Sequence, residues 1–353
     1  KGESGVITVS GNVAAPEQSF FDVKARIKDN NNLIAEKTAN VSVSASPLSL
    51  SLNVMNQASY VAGLSETLRY ALNYKNNSEV GLNDVVIKAR LKGVMFDFKT
   101  IRSKGGFSST DNTVTWNVST NPELRLLGAG AEGQVELDVT TAQGYPIRRL
   151  SDKNFILRLE AEISSPTVPY YVAADRTLAL ANLETKIRGK TDIRAIAYFL
   201  DPFTETNNSG PIPPKINTPT TYTMHWAIVN YGTDVKNIEV RASLPAGVKM
   251  TDKVQSNNSI LPVYNERTSE VSWSIPKIPA TKGVLGKPIE TIFQISTTPN
   301  IGQIGQPMPI LNDTLLKAVD EFTGEEITAS ARSLTTVLEN DPTIGQNGGI
   351  VRQ

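Results

Sequence analysis

The sequence predicts an all-β protein made of tandem immunoglobulin-like antiparallel sandwiches. Three observations predict it. Apolar and polar residues alternate with a period of two from end to end, Gly, Pro, Asn, Asp and Ser clusters separate the alternating stretches, and long blocks of the chain recur. Alternation of this kind turns one face of a strand to a core and the other to water. Helical periodicity is missing from the chain.

Taken in order, the alternation starts at Phe21-Val23-Ala25-Ile27 and returns at Leu48-Leu50-Leu52-Val54, Leu68-Tyr70-Leu72-Tyr74 and Ile87-Ala89-Leu91. It continues at Val114-Trp116-Val118, Val135-Leu137-Val139 and Phe155-Leu157-Leu159-Ala161, then at Tyr222-Met224-Trp226-Ile228 and Ile238-Val240-Ala242-Leu244. Each stretch reads as a half-buried strand.

The self-similarity divides the chain. Asn76-Asn77-Ser78 followed by Val86 to Leu91 matches Asn230-Tyr231-Gly232 followed by Glu239 to Leu244. In the same order, Val114-Thr115-Trp116 matches Val271-Ser272-Trp273, Val139-Thr140-Thr141 matches Ser296-Thr297-Thr298, and Asn154 to Leu157 matches Asn312 to Leu315. The spacing is about 155 residues, longer than the ~100 of a minimal immunoglobulin sandwich, which calls for extra strands or long loops. Gly5 to Val9 resembles Gly133 to Leu137, and Phe21 to Lys24 resembles Phe155 to Arg158. The expected domains are therefore 1–45, the closing strands of an incomplete first repeat; 46–183 and 184–340, two full repeats; and 341–353, a flexible Gly- and Asn-rich tail. Pro-rich Asp201 to Lys215 reads as an extended connection, with Thr191 to Leu200 as the strand before it.

Composition narrows the function classes. Of 353 residues, 39% are apolar and 20% charged, and Lys plus Arg equals Asp plus Glu at 35 each. That balance offers no electrostatic attraction to nucleic acid or an anionic membrane surface. No apolar run approaches the roughly 20 residues of a membrane-spanning helix, and no secretory leader is visible at Lys1 to Gly5, so an export signal or anchor is expected outside this stretch. With no cysteine, disulfides and thiolate metal sites are excluded.

The order of a Tyr-containing strand, an Asn turn, a strand ending Leu244-Pro245-Ala246-Gly247 and a Val271-Ser272-Trp273 strand resembles the bacterial and archaeal surface repeat called domain of unknown function eleven. The last copy is similar over roughly 190 to 345 to surface repeats of small-genome candidate-phylum bacteria, through Ser209 to Lys215, Thr221-Tyr222-Thr223, Trp226, Asn230, Phe293-Gln294, Phe322-Thr323-Gly324 and Leu334-Thr335-Thr336. The first full copy departs from this pattern, with Leu91-Lys92-Gly93 in place of Leu-Pro-x-Gly. The resemblance implies an extracellular, cell-surface envelope protein without an enzymatic role.

Candidate sites were weighed against structural roles. His225 is the only histidine, and alternation puts it opposite Met224 and Trp226 on the solvent face of its strand, so neither a His-based triad nor a zinc site is expected. Calcium candidates are Asp29 to Asn32, Asp111 with Asn112, and Asp320-Glu321 with Glu325-Glu326; turn chemistry is the favoured reading of all three. Trp116, Trp273 and Trp226 are read as core residues in preference to a sugar-stacking platform. No Lys, Asn and buried acid stand out as an intramolecular cross-link. Asn40, Asn76, Asn117, Asn207, Asn257 and Asn312 begin Asn-x-Ser/Thr triplets. The expectation is thus no catalytic residue, no cofactor and no metal, in a structural or adhesive surface protein acting as a stalk, spacer or surface-layer or filament subunit. Its partners would be other protein subunits or surface ligands, including strand-complemented self-assembly through residues 1–45. The alternative is a carbohydrate-binding module of the cell envelope.

Overall fold

The alternation in the sequence appears as alternating burial. The computed structural model describes residues 20–29, 32–42, 46–172, 174–345 and 347–353. In Val86–Lys92, Ile87, Ala89 and Leu91 are buried while Lys88, Arg90 and Lys92 face water. Among the described residues the regular structure is strand, with only two short 3-10 turns, Pro122–Arg125 and Ile301–Gln303.

β1 (Phe20–Asp29) and β2 (Asn32–Ser42) pair with each other as an antiparallel ribbon. Next come β3 (Leu48–Val54), β4 (Val61–Ala62), β5 (Thr67–Asn76), β6 (Leu82–Asn83), β7 (Val86–Lys92) and β8 (Phe96–Ser103). β9 (Gly106–Ser108), β10 (Thr113–Trp116), β11 (Leu126–Leu127), β12 (Glu132–Thr141), β13 (Ile156–Ser165) and β14 (Thr177–Ile187) complete this part. They form a six-stranded sheet ordered β4-β14-β13-β7-β10-β9 and a four-stranded sheet ordered β3-β5-β12-β8, whose side chains meet in one core from Leu48 to Ile187.

The second half runs β15 (Thr191–Tyr198), β16 (Thr220–Asn230), β17 (Val235–Ser243), β18 (Val248–Ser256), β19 (Val263–Asn265) and β20 (Glu270–Ile278). β21 (Ile289–Thr297), β22 (Pro309–Leu311), β23 (Thr314–Asp320), β24 (Glu326–Ala331) and β25 (Leu334–Thr335) follow. Here the sheets are β19-β20-β17-β23-β24 and β15-β16-β21-β18, around a second core from Ile193 to Val351. Strand for strand the order repeats that of the first sandwich; the short β4 on the edge of β14 is the addition in the first sheet.

Register repeats as well. Trp116 lies opposite Ile87 and Val114 opposite Ala89, just as Trp273 lies opposite Val240 and Val271 opposite Ala242. Both indoles are in the cores, and Trp273 donates its ring N–H to the Ile260 carbonyl at 2.8 Å. The two Asn turns are equivalent latches. Fully buried Asn76 donates its Nδ2 to the carbonyls of Val80, Leu127 and Gly128 at 2.8 to 2.9 Å. Fully buried Asn230 donates to Thr233, Ile278 and Pro279 at 2.8 to 3.3 Å, and its Oδ1 accepts from the Thr191 hydroxyl at 2.9 Å. Each amide thereby satisfies loop carbonyls at the end of a sandwich where no ladder partner exists.

Two expectations need correction. The end expected as a flexible tail from 341 is packed: Asp341, Ile344 and Val351 are buried, and the amides of Val351 and Arg352 donate to the Gln306 and Pro214 carbonyls. Its Gly and Asn residues suggested mobility, but its few apolar side chains plug the second core. The boundary expected at Leu183 falls inside β14, which continues to Ile187 in the first core. Residues 1–19 and 43–45, including Gly5 to Val9, lie outside the described residues.

Replacing Asn230 by Ala leaves buried loop carbonyls without a donor. The expected loss is about 2–3 kcal/mol in the second sandwich, measured by urea unfolding with tryptophan fluorescence. A loss below about 0.5 kcal/mol rejects the latch.

Candidate functional site at the repeat junction

Only Arg188, Gly189 and Lys190 lie between the last strand of one sandwich and the first of the next. Both flanking residues, Ile187 and Thr191, are buried. A crossing this short brings the end of the first sandwich against two loops of the second, Tyr231 to Asp234 and Asp320 to Glu325.

Glycine is required at the crossing. A Cβ at Gly189 would lie 1.8 Å from Thr233 Oγ1 and 3.2 Å from Asp320 Oδ2. Its amide donates to that same Oδ2 at 2.8 Å, and the other oxygen of this wholly buried carboxylate accepts from the Phe322 and Thr323 amides at 2.8 and 3.2 Å. One acid thus organises its own β23–β24 turn and ties it to the connector. Charge-assisted bonds of this kind are the stronger class of hydrogen bond.

Beside it, the Tyr145 ring stacks between Phe155 of its own sandwich, at 5.9 Å and 28°, and Tyr231 of the next, at 6.1 Å and 30°. The Tyr145 hydroxyl donates to the Arg188 carbonyl at 2.6 Å, and burial pushes its phenol well above the usual range. Space for the ring comes from Gly232, where a Cβ would meet Tyr145 Cδ1 and Cε1 at 2.8 Å. The Gly232 carbonyl accepts from the Asn154 amide at 2.8 Å, a backbone bond between the sandwiches.

Charged groups ring this contact. Lys153 Nζ donates to both oxygens of Asp234 at 3.0 and 3.1 Å, and Lys277 approaches the same carboxylate at 3.7 Å while pairing with Glu321. Burial raises the Asp234 pKa, but the Ala280 amide and the two lysines outweigh it and hold the carboxyl below its ordinary value. The Lys153–Asp234 attraction is therefore present above the unfolded carboxylate value and is lost as pH falls through the lower folded one. Arg188 pairs with Glu325, and Lys186 lies 4.8 Å over the Phe322 ring with its Nζ donating to the Phe322 carbonyl at 3.0 Å. Partly exposed ion pairs contribute about 0–1 kcal/mol each. The stacked rings, the glycine contacts and the buried carboxylate therefore set the fit.

The residues singled out from sequence fall as follows. His225 is on the face opposite Met224 and Trp226, but that face is roofed, so the residue is buried where solvent exposure was expected. Its ring nitrogens lie 2.9 Å from Asp201 and 2.9 Å from Glu290, leaving none free to accept a proton from a nucleophile. Trp116, Trp226 and Trp273 are 1%, 0% and 0% exposed, which removes the aromatic platform the carbohydrate-binding alternative rested on. The calcium candidates are engaged otherwise: Asp111 by the Thr113 hydroxyl and Arg90, Asp320 by amides, and Glu321, Glu325 and Glu326 by Lys277, Arg188 and Lys317. Asn30 and Asn31 of the first candidate lie outside the described residues. Asn76, being fully buried, cannot carry a glycan. The junction itself was not singled out; its one signal was Gly232 standing where the first copy has Ser78.

These features define an all-β protein of immunoglobulin-like sandwiches arranged in series. No protein-family model matches the chain, and no curated protein sequence does. Among solved structures it is similar to the C-terminal domain of the Streptococcus pyogenes antigen I/II-family protein AspA, with 9% identity, 81% of this chain and 100% of that one covered, and a TM-score of 0.33. The C-terminal domain of the Streptococcus agalactiae antigen I/II polypeptide BspA gives 8% identity, 80% and 100% coverage and a TM-score of 0.32. The Corynebacterium diphtheriae major pilin SpaD gives 12%, 72% and 61%, and 0.28.

Gly189→Ala should leave both sandwiches folded and unlock them. Because the chain has no cysteine, spin labels at Lys88→Cys and Lys249→Cys report the angle directly. A narrow distance distribution in the parent is expected to broaden in the Gly189→Ala background; equal widths count against the lock.

Proposed function

We propose that this chain is a non-enzymatic structural or adhesive protein of a cell surface, in which sandwiches in series act as a stalk, spacer or subunit of a surface layer or filament. The observation that carries the reading is the three-residue crossing at Arg188 to Lys190 with the Tyr145, Asp320 and Asp234 contacts around it. A flexible linker would let neighbouring units swing, whereas this crossing has no slack. Each repeat then adds a set length, about 30 Å for strands of ten residues, and a pull at one end is carried to the other. The division into two full repeats that meet at Arg188 to Lys190, their kinship with the domain-of-unknown-function-eleven group and with surface repeats of candidate-phylum bacteria, and an extracellular location belong to the same proposal. The partners are other subunits or surface ligands met through the loops.

The β1–β2 ribbon supports an assembly role. By the repeat alignment Val23 corresponds to Leu157 and Ile27 to Ala161, which are buried in β13, yet Val23 and Ile27 are 51% and 63% exposed. Among the described residues this ribbon pairs with no third strand, and such an edge is suited to pairing with strands of another subunit. Light scattering tests this. The chain from Lys1 is expected to associate with rising concentration and a chain starting at Ser46 to stay monomeric; a strict monomer with a protected ribbon sinks the assembly reading.

A further inference from the structure

The chain's single histidine lies under a strap. After β15, residues 199–210 fold back across the outer face of the β15-β16-β21-β18 sheet, over His225 on β16. The imidazole is 4% exposed, with Nε2 2.9 Å from Asp201 Oδ2 on the strap and Nδ1 2.9 Å from Glu290 Oε1 on β21. The Asp201 side chain is wholly buried, and that of Glu290 is one-third exposed at 33%. Tyr198 and Phe203 stand edge-on to the ring at 5.3 and 6.2 Å.

An ionised carboxylate only accepts hydrogen bonds, while a neutral imidazole carries one N–H and one lone pair. A neutral ring would turn its lone pair against one of the two carboxylates. The imidazolium donates to both. We propose that His225 is held as an imidazolium that fastens the Asp201 end of the strap to the sheet, and that this end loosens when the proton is lost.

The surroundings agree in sign. Two carboxylates face one cation, so deprotonation leaves two uncompensated negative charges in a mostly buried site. Lys253, from β18, reaches the Asn207 carbonyl at 3.1 Å, which places its charge at the other half of the strap. The Thr204 hydroxyl donates to Asp201 Oδ2, and Asp341 holds the Phe199 and Leu200 amides at 2.8 and 3.0 Å. Burial pushes the Tyr198 phenol up, helped by Asp201, Asp341 and Glu290, so it stays neutral where histidine titrates. Burial opposes the imidazolium, but the hydrogen bonds it donates to Glu290 and Asp201 outweigh it and raise the His225 pKa. The fastening is therefore complete below the ordinary histidine range and is lost as pH rises through the raised folded value.

The far half of the strap is held chiefly by side-chain amides. Asn208 donates to the Tyr198 and Phe199 carbonyls and to the Thr223 hydroxyl, and Gln294 donates to Asn208 Oδ1 at 2.8 Å. Opening is thus confined to 201–206 and uncovers His225 and the buried Tyr198 ring, against which Phe203 packs at 5.9 Å.

One histidine gives one set of ring resonances, so nitrogen-15 NMR of the intact chain reads the site without assignment. Both ring nitrogens are expected to be protonated below a midpoint that lies above the ~6.5 of free histidine. Glu290→Gln should weaken proton binding about tenfold. Exchange of the 201–206 amides, normalised to 207–210, should rise about tenfold through the midpoint in the parent, and at all pH values in His225→Gln. A midpoint at or below ~6.5, or exchange unchanged through the midpoint, overturns the proposal. Should His225→Gln fail to fold, the parent and Glu290→Gln titrations decide alone.

Discussion

Everything that makes this chain more than two separate sandwiches depends on the crossing at Arg188-Gly189-Lys190. Three residues reach about 10 Å, so the two cores must sit end to end. Backbone approach that close admits no side chain at Gly189 or Gly232. The buried Asp320 carboxylate, bonded to the connector and to its own turn, converts the short tether into a fitted joint. Around the stacked rings, specificity comes from donors and acceptors that have one arrangement in which all are satisfied.

The same economy of polar groups governs the ends of each sandwich. Strand ladders end where loops begin, and the loop carbonyls there need donors. Asn76 and Asn230 supply them from equivalent positions, and Asp341 and His225 do related work for the segment that leaves β15. Ends of this kind keep a sandwich stiff, because stiffness is lost first where backbone is unpaired and solvated. Segment 199–210 is the exception: half its anchorage rests on a titrating ring, the other half on amides that do not titrate.

Much of the architecture was legible in the chain. Period-two alternation located strands such as Val86–Lys92 and Thr220–Asn230, and the recurrence of Asn76 at Asn230 and of Trp116 at Trp273 carried through to equivalent registers. The alternation rule also set His225 on the face opposite Met224 correctly; it erred only on what covers that face. Gly and Asn content misled at 341–353, where Ile344 and Val351 outweigh it.

By itself, then, the amino-acid order determined the secondary structure, the facing of each strand and the existence of equivalent cores, because these follow from which side chains avoid water within a local repeat. The joint at Tyr145, Gly232 and Asp320 and the strap over His225 were decided only by tertiary structure. Their partners are separated by tens to more than a hundred residues, and no local pattern encodes which loop will lie against which. Closeness there is a product of the folded sheets, which bring together loops far apart in the chain.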